Sequence, residues 1–237
     1  VPFDEGVFVA SCRYGNEEII LQGYHLLTTE ERRFGAFRQT CKSGNTQLVE
    51  YMISKGLTYD NWASDALVAA AGAGYIDIAE ILLKAGADVN GYGGLPLYKA
   101  CGRWKQIRMI KFLITAGADV TIDGNHTIIR ALAIGRLDIV EVLQAAGADP
   151  CANDGEALVL AIANGKERCN AVVQYLIDNR VNVNNRMGLP IIQATKEENM
   201  EIIRMLVAAG ARCDVRDSEP VQIALRNGCI DIVKYFL

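Results

Sequence analysis

The chain has 237 residues, of which 51% are hydrophobic and 22% are charged, and its formal net charge is −4. This composition excludes an intrinsically disordered chain, and the charge gives no general attraction to nucleic acid or to a membrane surface. No apolar run approaches the roughly 20 residues of a membrane span, and the N-terminus lacks the basic and apolar regions of a signal peptide.

A helical stretch that ends in glycine recurs along the chain. Three of its five glycine-containing copies are "LVEYMISKGLTYD", "IAEILLKAGADVN" and "IIRMLVAAGARCD". The glycines of the five copies are Gly56, Gly86, Gly117, Gly147 and Gly210. Arg180 occupies the same slot in a further copy, "VVQYLIDNRVNVN". The successive spacings are 30, 31, 30, 33 and 30 residues, so the pattern indicates a repeat protein.

A second series of glycines runs in step with the first, at Gly44, Gly74, Gly135, Gly165 and Gly228. Each period therefore predicts a first helix rich in small residues, a tight turn, a second helix with larger apolar residues, a glycine and a short extended link. The glycine after the second helix is expected to be left-handed, where glycine costs least. Arg180 is expected to be strained there, unless Asn179 takes the left-handed conformation instead.

The repeat divides the chain into eight approximate units that form one array. They span residues 1–28, 29–58, 59–88, 89–119, 120–149, 150–182, 183–212 and 213–237, the last being truncated. Thr28 and Glu31 fit a capping box at the start of the second unit. Ile232, Val233, Phe236 and Leu237 are expected to be poorly covered on one side, which indicates a longer chain, a packing partner or a frayed end.

These repeats resemble the ankyrin repeat family. "GYIDIAEILLKAGADVN" is similar to the family's second helix and link, and "LPLYKAC" is similar to its T-P-L-H-x-A-A segment. The resemblance implies an all-α solenoid of helix-turn-helix repeats. Most periods here are shorter than the 33 residues of the family, so the β-hairpin fingers are expected to be short or incomplete. Degenerate copies of this kind also resemble ankyrin arrays of large DNA viruses and protists.

The sequence carries no convincing catalytic, cofactor or metal motif. "GAGYID" lies between two short helices rather than after a strand, so it is not a dinucleotide fingerprint. His126 is expected to be a capping or solvent-exposed residue. Cys12, Cys41 and Cys101 share one position late in the first helix, and they are expected to be small buried residues rather than zinc ligands. We therefore expect a protein that is not an enzyme and holds no cofactor or metal.

The seven cysteines are an odd number and include no C-x-x-C pair. That usage is typical of reduced, intracellular proteins. The expected location is cytoplasmic or nuclear, or the interior of the host cell if the source is viral.

The resemblance implies that another protein binds the concave side formed by the links and first helices. Candidate contact residues are large, aromatic or basic side chains in the links and at the ends of first helices. They are Tyr59, Trp62, Tyr92, Arg103, Trp104, Lys105, His126, Arg186, Met187 and Arg216. Asn153, Asp154 and Asp217 occupy the same links. Local packing between links is the alternative for the aromatic residues.

Basic residues are denser in the N-terminal half. This distribution favours an acidic partner, and the alternative is that these residues form an ordinary solvated face. The basic residues are Arg32, Arg33, Arg38, Lys42, Arg103, Lys105 and Arg108. The sequence predicts a protein–protein interaction module, an adaptor by family analogy. The alternatives are a structural spacer, a scaffold that self-associates through its C-terminal end, or the regulatory repeat segment of a larger enzyme.

Overall fold

The computed structural model describes residues 11, 23, 29–54, 60–102, 106–165 and 169–237. Throughout these ranges the secondary structure is helical and no strand occurs. The chain divides into two compact units, an N-terminal unit up to Asp119 and a C-terminal unit from Val120. This division lies at the boundary that the repeat pattern gives between residues 119 and 120.

Both units consist of helix pairs in which an inner helix is followed by an outer helix. The described helices of the N-terminal unit are α1 (Glu30–Ser43), α2 (Thr46–Ser54), α3 (Asp60–Ala73), α4 (Ile76–Lys84), α5 (Gly91–Cys101) and α6 (Ile107–Thr115). Those of the C-terminal unit are α7 (Ile122–Ala133), α8 (Leu137–Ala145), α9 (Ala152–Ala163), α10 (Cys169–Asp178), α11 (Asn185–Lys196), α12 (Met200–Ala208), α13 (Val215–Arg226) and α14 (Ile230–Phe236).

Small residues on the inner helices allow these helices to lie close together within each unit. In the N-terminal unit α1 packs on α3, and α3 packs on α5; in the C-terminal unit α7, α9, α11 and α13 pack in order. Ala66 and Ala70 of α3 are fully buried. The outer helices supply larger buried side chains, such as Leu82, Leu143 and Leu206. The core of each unit therefore consists of a row of alanine-rich inner helices, on which leucine and isoleucine side chains of the outer helices pack.

The recurring glycine after the outer helix is left-handed at every described copy, as predicted. The φ angles of Gly86, Gly117, Gly147 and Gly210 are 95°, 95°, 102° and 91°. At the first of these, Ala87 N donates to Leu82 O over 3.0 Å, which closes the helix end. Gly56 lies outside the described residues. The buried Cys41 and Cys101 also confirm the packing prediction, and Cys12 is outside the described residues.

Arg180 takes the left-handed conformation itself, with φ at 62°, so the predicted strain is confirmed. Its backbone N donates to Ile177 O, and the following Val181 N donates to Leu176 O, as at the glycine copies. Asn179 instead remains in the helical turn, and its side-chain amide donates to Tyr175 O.

Replacing Arg180 by glycine is expected to raise the free energy of unfolding by about 1 kcal/mol, because a left-handed residue with a Cβ costs about that much. Urea denaturation of both proteins measures this difference. The exposed arginine makes no ion pair in the described structure that would offset the gain. An Arg180→Gly variant that is no more stable than the wild type would contradict the assigned backbone conformation.

Four of the described inner helices begin with a left-handed turn, where the sequence predicted an extended link. Three successive residues have positive φ in four links: Tyr92–Gly94, Asn153–Gly155, Arg186–Gly188 and Arg216–Ser218. In the third of these the φ angles are 46°, 60° and 78°. The short period leaves too few residues for a hairpin, so the chain reverses through this turn. The prediction of short or incomplete fingers is confirmed, and that of an extended link is wrong at these positions.

Two predictions about the helix ends differ from the structure. The cap of α1 is Thr29, whose hydroxyl accepts a hydrogen bond from Arg32 N over 3.3 Å, so the capping box assigned to Thr28 and Glu31 is wrong by one residue. Ile232 in α14 is only 4% exposed because α13 covers it, which corrects the expectation that it has little cover. Leu237 is 92% exposed, as expected.

Asparagine side chains bridge successive repeats next to the left-handed glycines. In the C-terminal unit, the Asn184 amide donates to Gly210 O over 2.9 Å, and its Oδ1 accepts from Arg212 N over 2.8 Å. Asn90 makes the same two contacts with Gly117 O and Asp119 N in the N-terminal unit. One side chain thus satisfies a donor and an acceptor of the next link.

Replacing Asn184 by alanine is expected to lower the free energy of unfolding by about 1.5 kcal/mol, because both backbone groups lose their partner. Asn170→Ala is the matched control, since its amide contacts only the exposed Glu201 carboxylate. The control is expected to cost less than about 0.5 kcal/mol. Equal losses in the two variants, measured by urea denaturation, would show that the bridge adds nothing beyond an exposed contact.

Candidate functional site

The left-handed turns of the C-terminal unit place six side chains of three successive repeats on one side. We name this group the turn surface; its members are Asn153, Asp154, Arg186, Met187, Arg216 and Asp217. All six are exposed. Every one of them has a positive φ, between 46° and 60°. The repeat sets this arrangement, because the same two positions of each turn carry the exposed residues. At the third position of the first two turns, a Cβ on Gly155 or Gly188 would meet Asn185 or Val215 of the following repeat.

Arginine side chains connect the turns of the turn surface to one another. Arg186 Nη2 donates to Asn153 O over 3.2 Å, and Arg216 Nη2 donates to Arg186 O over 2.9 Å. Arg186 N also donates to the Asp154 carboxylate over 3.2 Å. Each arginine therefore reaches back to the carbonyl of the equivalent residue in the preceding repeat. These contacts hold the turns in a fixed register.

Carboxylates on the inner helices lie close to both guanidinium groups and compensate their positive charge. Arg186 Nη2 lies 3.9 Å from Glu156 Oε2, and Arg216 Nη1 lies 3.7 Å from Glu219 Oε2. The four side chains are partly exposed, so each pair adds little to stability. The consequence is geometric and electrostatic: the arginines are positioned along the turns and carry little uncompensated charge outward.

Met187 lies at the middle of the turn surface and is the most exposed large apolar residue of the described chain apart from Leu237. Its side chain is 73% exposed, and its φ is 60°. A left-handed methionine costs roughly 1–2 kcal/mol relative to a relaxed backbone. An exposed apolar side chain in a strained position gains nothing from local burial. Such strain accompanies functional positions when the surrounding structure enforces it.

The thiols near the turn surface are not activated. Partial burial raises the pKa of Cys151 and of Cys213, and the neighbouring carboxylates of Asp149 and Asp214 raise it further. Both thiols therefore stay protonated at neutral pH and are poor nucleophiles. The hydrogen bond from Arg212 lowers the pKa of the exposed Asp214, so this carboxyl is ionised at neutral pH.

Of the contact residues predicted for the N-terminal unit, Trp62 and Tyr92 lie within the described residues. Trp62 of α3 is half-buried, and its ring centroid lies 5.0 Å from that of Phe34 in α1, which is the local packing alternative. Tyr92 is 58% exposed on a left-handed turn. Tyr59, Arg103, Trp104 and Lys105 lie outside the described residues.

The predicted residues of the C-terminal unit are partly brought together. Arg186, Met187 and Arg216 lie on the turn surface, and His126 is an exposed residue of α7. Sequence reasoning missed Leu160 of α9, an inner-helix leucine that is 38% exposed. No local signal distinguishes it, because the preceding and following apolar residues of the same helix are buried or half-buried.

Metal ligands and membrane-spanning helices are both absent from the described part of the chain. No group of three or more His, Cys, Asp or Glu residues there is placed to hold a metal ion. Likewise, no helix in those ranges has the length and apolar character needed to cross a bilayer. Of the basic N-terminal residues, Arg32, Arg38 and Lys42 are exposed on α1, and Arg38 pairs with Asp65 over 3.3 Å.

The helix pairs, the left-handed stops and the exposed links define a repeat protein of the ankyrin class. The family model for ankyrin repeats matches residues 8–92, 36–124, 128–217 and 158–237. The chain therefore belongs to the ankyrin repeat family. Proteins of this family generally mediate protein–protein interaction, and their repeat is a non-catalytic fold.

The chain is similar to several known proteins, among them two curated proteins and one solved structure. Ankyrin repeat and KH domain-containing protein mask-1 of Caenorhabditis elegans is 23% identical over 223 residues, which are 86% of this chain and 8% of that protein. Putative ankyrin repeat protein R598 of Acanthamoeba polyphaga mimivirus is 27% identical over 137 residues, 57% of this chain and 42% of that protein. The chain thus spans less than half the length of each.

Among solved structures, one that is similar to the chain is the human ASB11 ankyrin repeat domain. It superposes with a TM-score of 0.60 at 21% identity, and the match covers 80% of this chain and 96% of that domain. At this identity the likeness shows the fold, and it assigns no binding residue.

Proposed function

We propose that the chain is a protein-binding module whose contact site is the turn surface of the C-terminal unit, and that it acts as an adaptor. The observation that carries the proposal is the exposed, strained Met187, held between arginines that are fixed to the backbone of neighbouring turns. A rigid surface loses little conformational entropy on binding, which favours affinity.

The proposal also fits the composition of the site. Arginine is enriched at interfaces and at hot spots, and methionine adapts its shape to a partner. Neither arginine is buried in the free protein, so a partner can cover the guanidinium groups without breaking a core contact. The described residues near the surface supply no activated thiol or metal cluster, which leaves recognition as the function that the site supports best.

Affinity capture from cells tests this proposal when the wild type is compared with Met187→Ser and Arg216→Glu variants. Discrete captured proteins should be lost from both variants, because one removes the apolar contact and the other reverses a charge. Gln174→Ser on the exposed side of α10 is the matched control and should capture the same proteins as the wild type. Capture that survives both turn-surface changes and fails in the control would place the site on the outer helices.

A second candidate is self-association through α13 and α14, with a second copy of the chain as the partner. Leu225 and Ile230 favour it, because they are 62% and 65% exposed, whereas Thr195, which occupies the position of Leu225 one repeat earlier, is 1% exposed. Sedimentation velocity over a wide concentration range tests this candidate. A monomer at every concentration removes it, while dimers that Leu225→Ser abolishes support it.

A further inference from the structure

Acidic groups flank Met187 on the neighbouring repeats of the turn surface. Asp154 belongs to the preceding turn and Asp217 to the following one, and both carboxylates are exposed. Because the link repeats in register, these two residues occupy the same position of their turns as Met187 does in its own. The order along the surface is therefore acidic, apolar, acidic.

The arginines of the same turns do not reverse this charge. Together with Glu156 and Glu219, the turn surface holds four carboxylates against two guanidinium groups, a formal charge of −2. Each guanidinium already donates to a backbone carbonyl and lies near one glutamate. The charge that faces a partner is consequently that of the two aspartates on either side of Met187.

We infer that the partner segment carries an apolar side chain flanked by lysine or arginine. The apolar side chain covers Met187, and the flanking cations face Asp154 and Asp217. This inference rests on the proposed function and names the chemical class of its partner. Charge complementarity of this kind increases the association rate and selects against acidic segments. The expectation of an acidic partner concerns a different surface, in the N-terminal half, and is independent of this inference.

Panning a random peptide library against the full chain tests the inference. Wild type and Met187→Ser serve as parallel targets, so that sequences dependent on Met187 are identified directly. We expect enriched peptides with an apolar residue between basic residues. Their dissociation constants should rise about tenfold or more in Met187→Ser and about threefold in each of Asp154→Asn and Asp217→Asn. Arg180→Gly, which lies outside the turn surface, should bind as the wild type does.

Salt dependence separates the charge contribution from the apolar one. Raising NaCl from about 50 to about 300 mM should weaken the enriched peptides several-fold on wild type and much less on the Asp154→Asn/Asp217→Asn double variant. Enriched peptides with acidic or uncharged flanks that still require Met187 would overturn this inference and leave the proposed function standing. Binding that ignores Met187 and both aspartates would overturn the inference and the proposed site together.

Discussion

Replacing Gly188 by alanine is expected to lower the free energy of unfolding by about 3 kcal/mol. Gly188 has a φ of 78°, and a Cβ at this position would lie 2.7 Å from both Cγ atoms of Val215 in the next repeat. The left-handed backbone costs an alanine about 1 kcal/mol. The overlap adds about 2 kcal/mol, because the branched Val215 side chain cannot easily rotate away. Urea denaturation measures the sum.

Gly210→Ala isolates the backbone contribution of this effect. Gly210 has a φ of 91°, yet nothing lies within 4 Å of a Cβ built there. Its replacement should therefore cost only about 1 kcal/mol. The double variant Gly188→Ala/Val215→Ala should recover part of the loss by removing the overlap. If the alanine at 188 costs no more than the alanine at 210, the repeats are not packed through the third residue of the turn.

The second large effect is expected for Leu206 of α12, whose replacement by alanine should cost about 3 kcal/mol. Leu206 is fully buried, and its helix packs on its own inner helix α11 and on the neighbouring outer helix α10. Removing the side chain loses its transfer free energy and leaves a cavity that the close-packed helices fill only in part. A shift of the urea midpoint without a change in the slope of the transition would report this loss.

Leu225 in the same unit is the matched control for this prediction. The same substitution at this 62% exposed position should cost less than about 1 kcal/mol, because most of the side chain is already in water. A loss at Leu225 as large as that at Leu206 would indicate that Leu225 is covered in solution, as it is in the self-associating alternative. Repeating the measurement at lower protein concentration distinguishes the two explanations.

The repeat architecture could be predicted from the sequence because its signals are local. Glycine at a fixed spacing marks the end of each outer helix, and the alternation of small and large residues marks inner and outer helices. The irregular copy was predictable in part, since the spacing indicated a left-handed residue there but left open whether it is Arg180 or Asn179. Each of these features depends on backbone sterics within a few residues, so a single sequence is enough to reveal them.

The conformation of the links could not be predicted in the same way. Tyr92, Arg186 and Arg216 are unlike one another and are not residues that favour positive φ. Glycine at the third position permits the turn but does not require it. The turn also depends on packing between repeats, as at Gly188, where a Cβ would lie 2.7 Å from Val215, and no local propensity expresses such a contact.

For the candidate site, too, the features that depend on residue type and repeat position were predictable, whereas those that depend on contacts between repeats were not. Residue type and repeat position predicted that Arg186, Met187 and Arg216 would be link residues, and the structure places all three on the turn surface. The contacts of the arginines with Asn153 O and Arg186 O depend on neighbouring repeats, so the sequence could not indicate that their charge is compensated. The contact of Trp62 with Phe34 likewise involves another repeat, so the sequence alone could not decide between a binding role and local packing for Trp62.

Backbone chemical-shift mapping of the isotope-labelled chain with an enriched peptide tests the contact site most directly. Binding at the turn surface predicts shifts that cluster at residues 153–156, 186–189 and 216–219, and that are lost in Met187→Ser. Shifts confined to the outer helices α8, α10 and α12, with the turns unperturbed, would contradict the account.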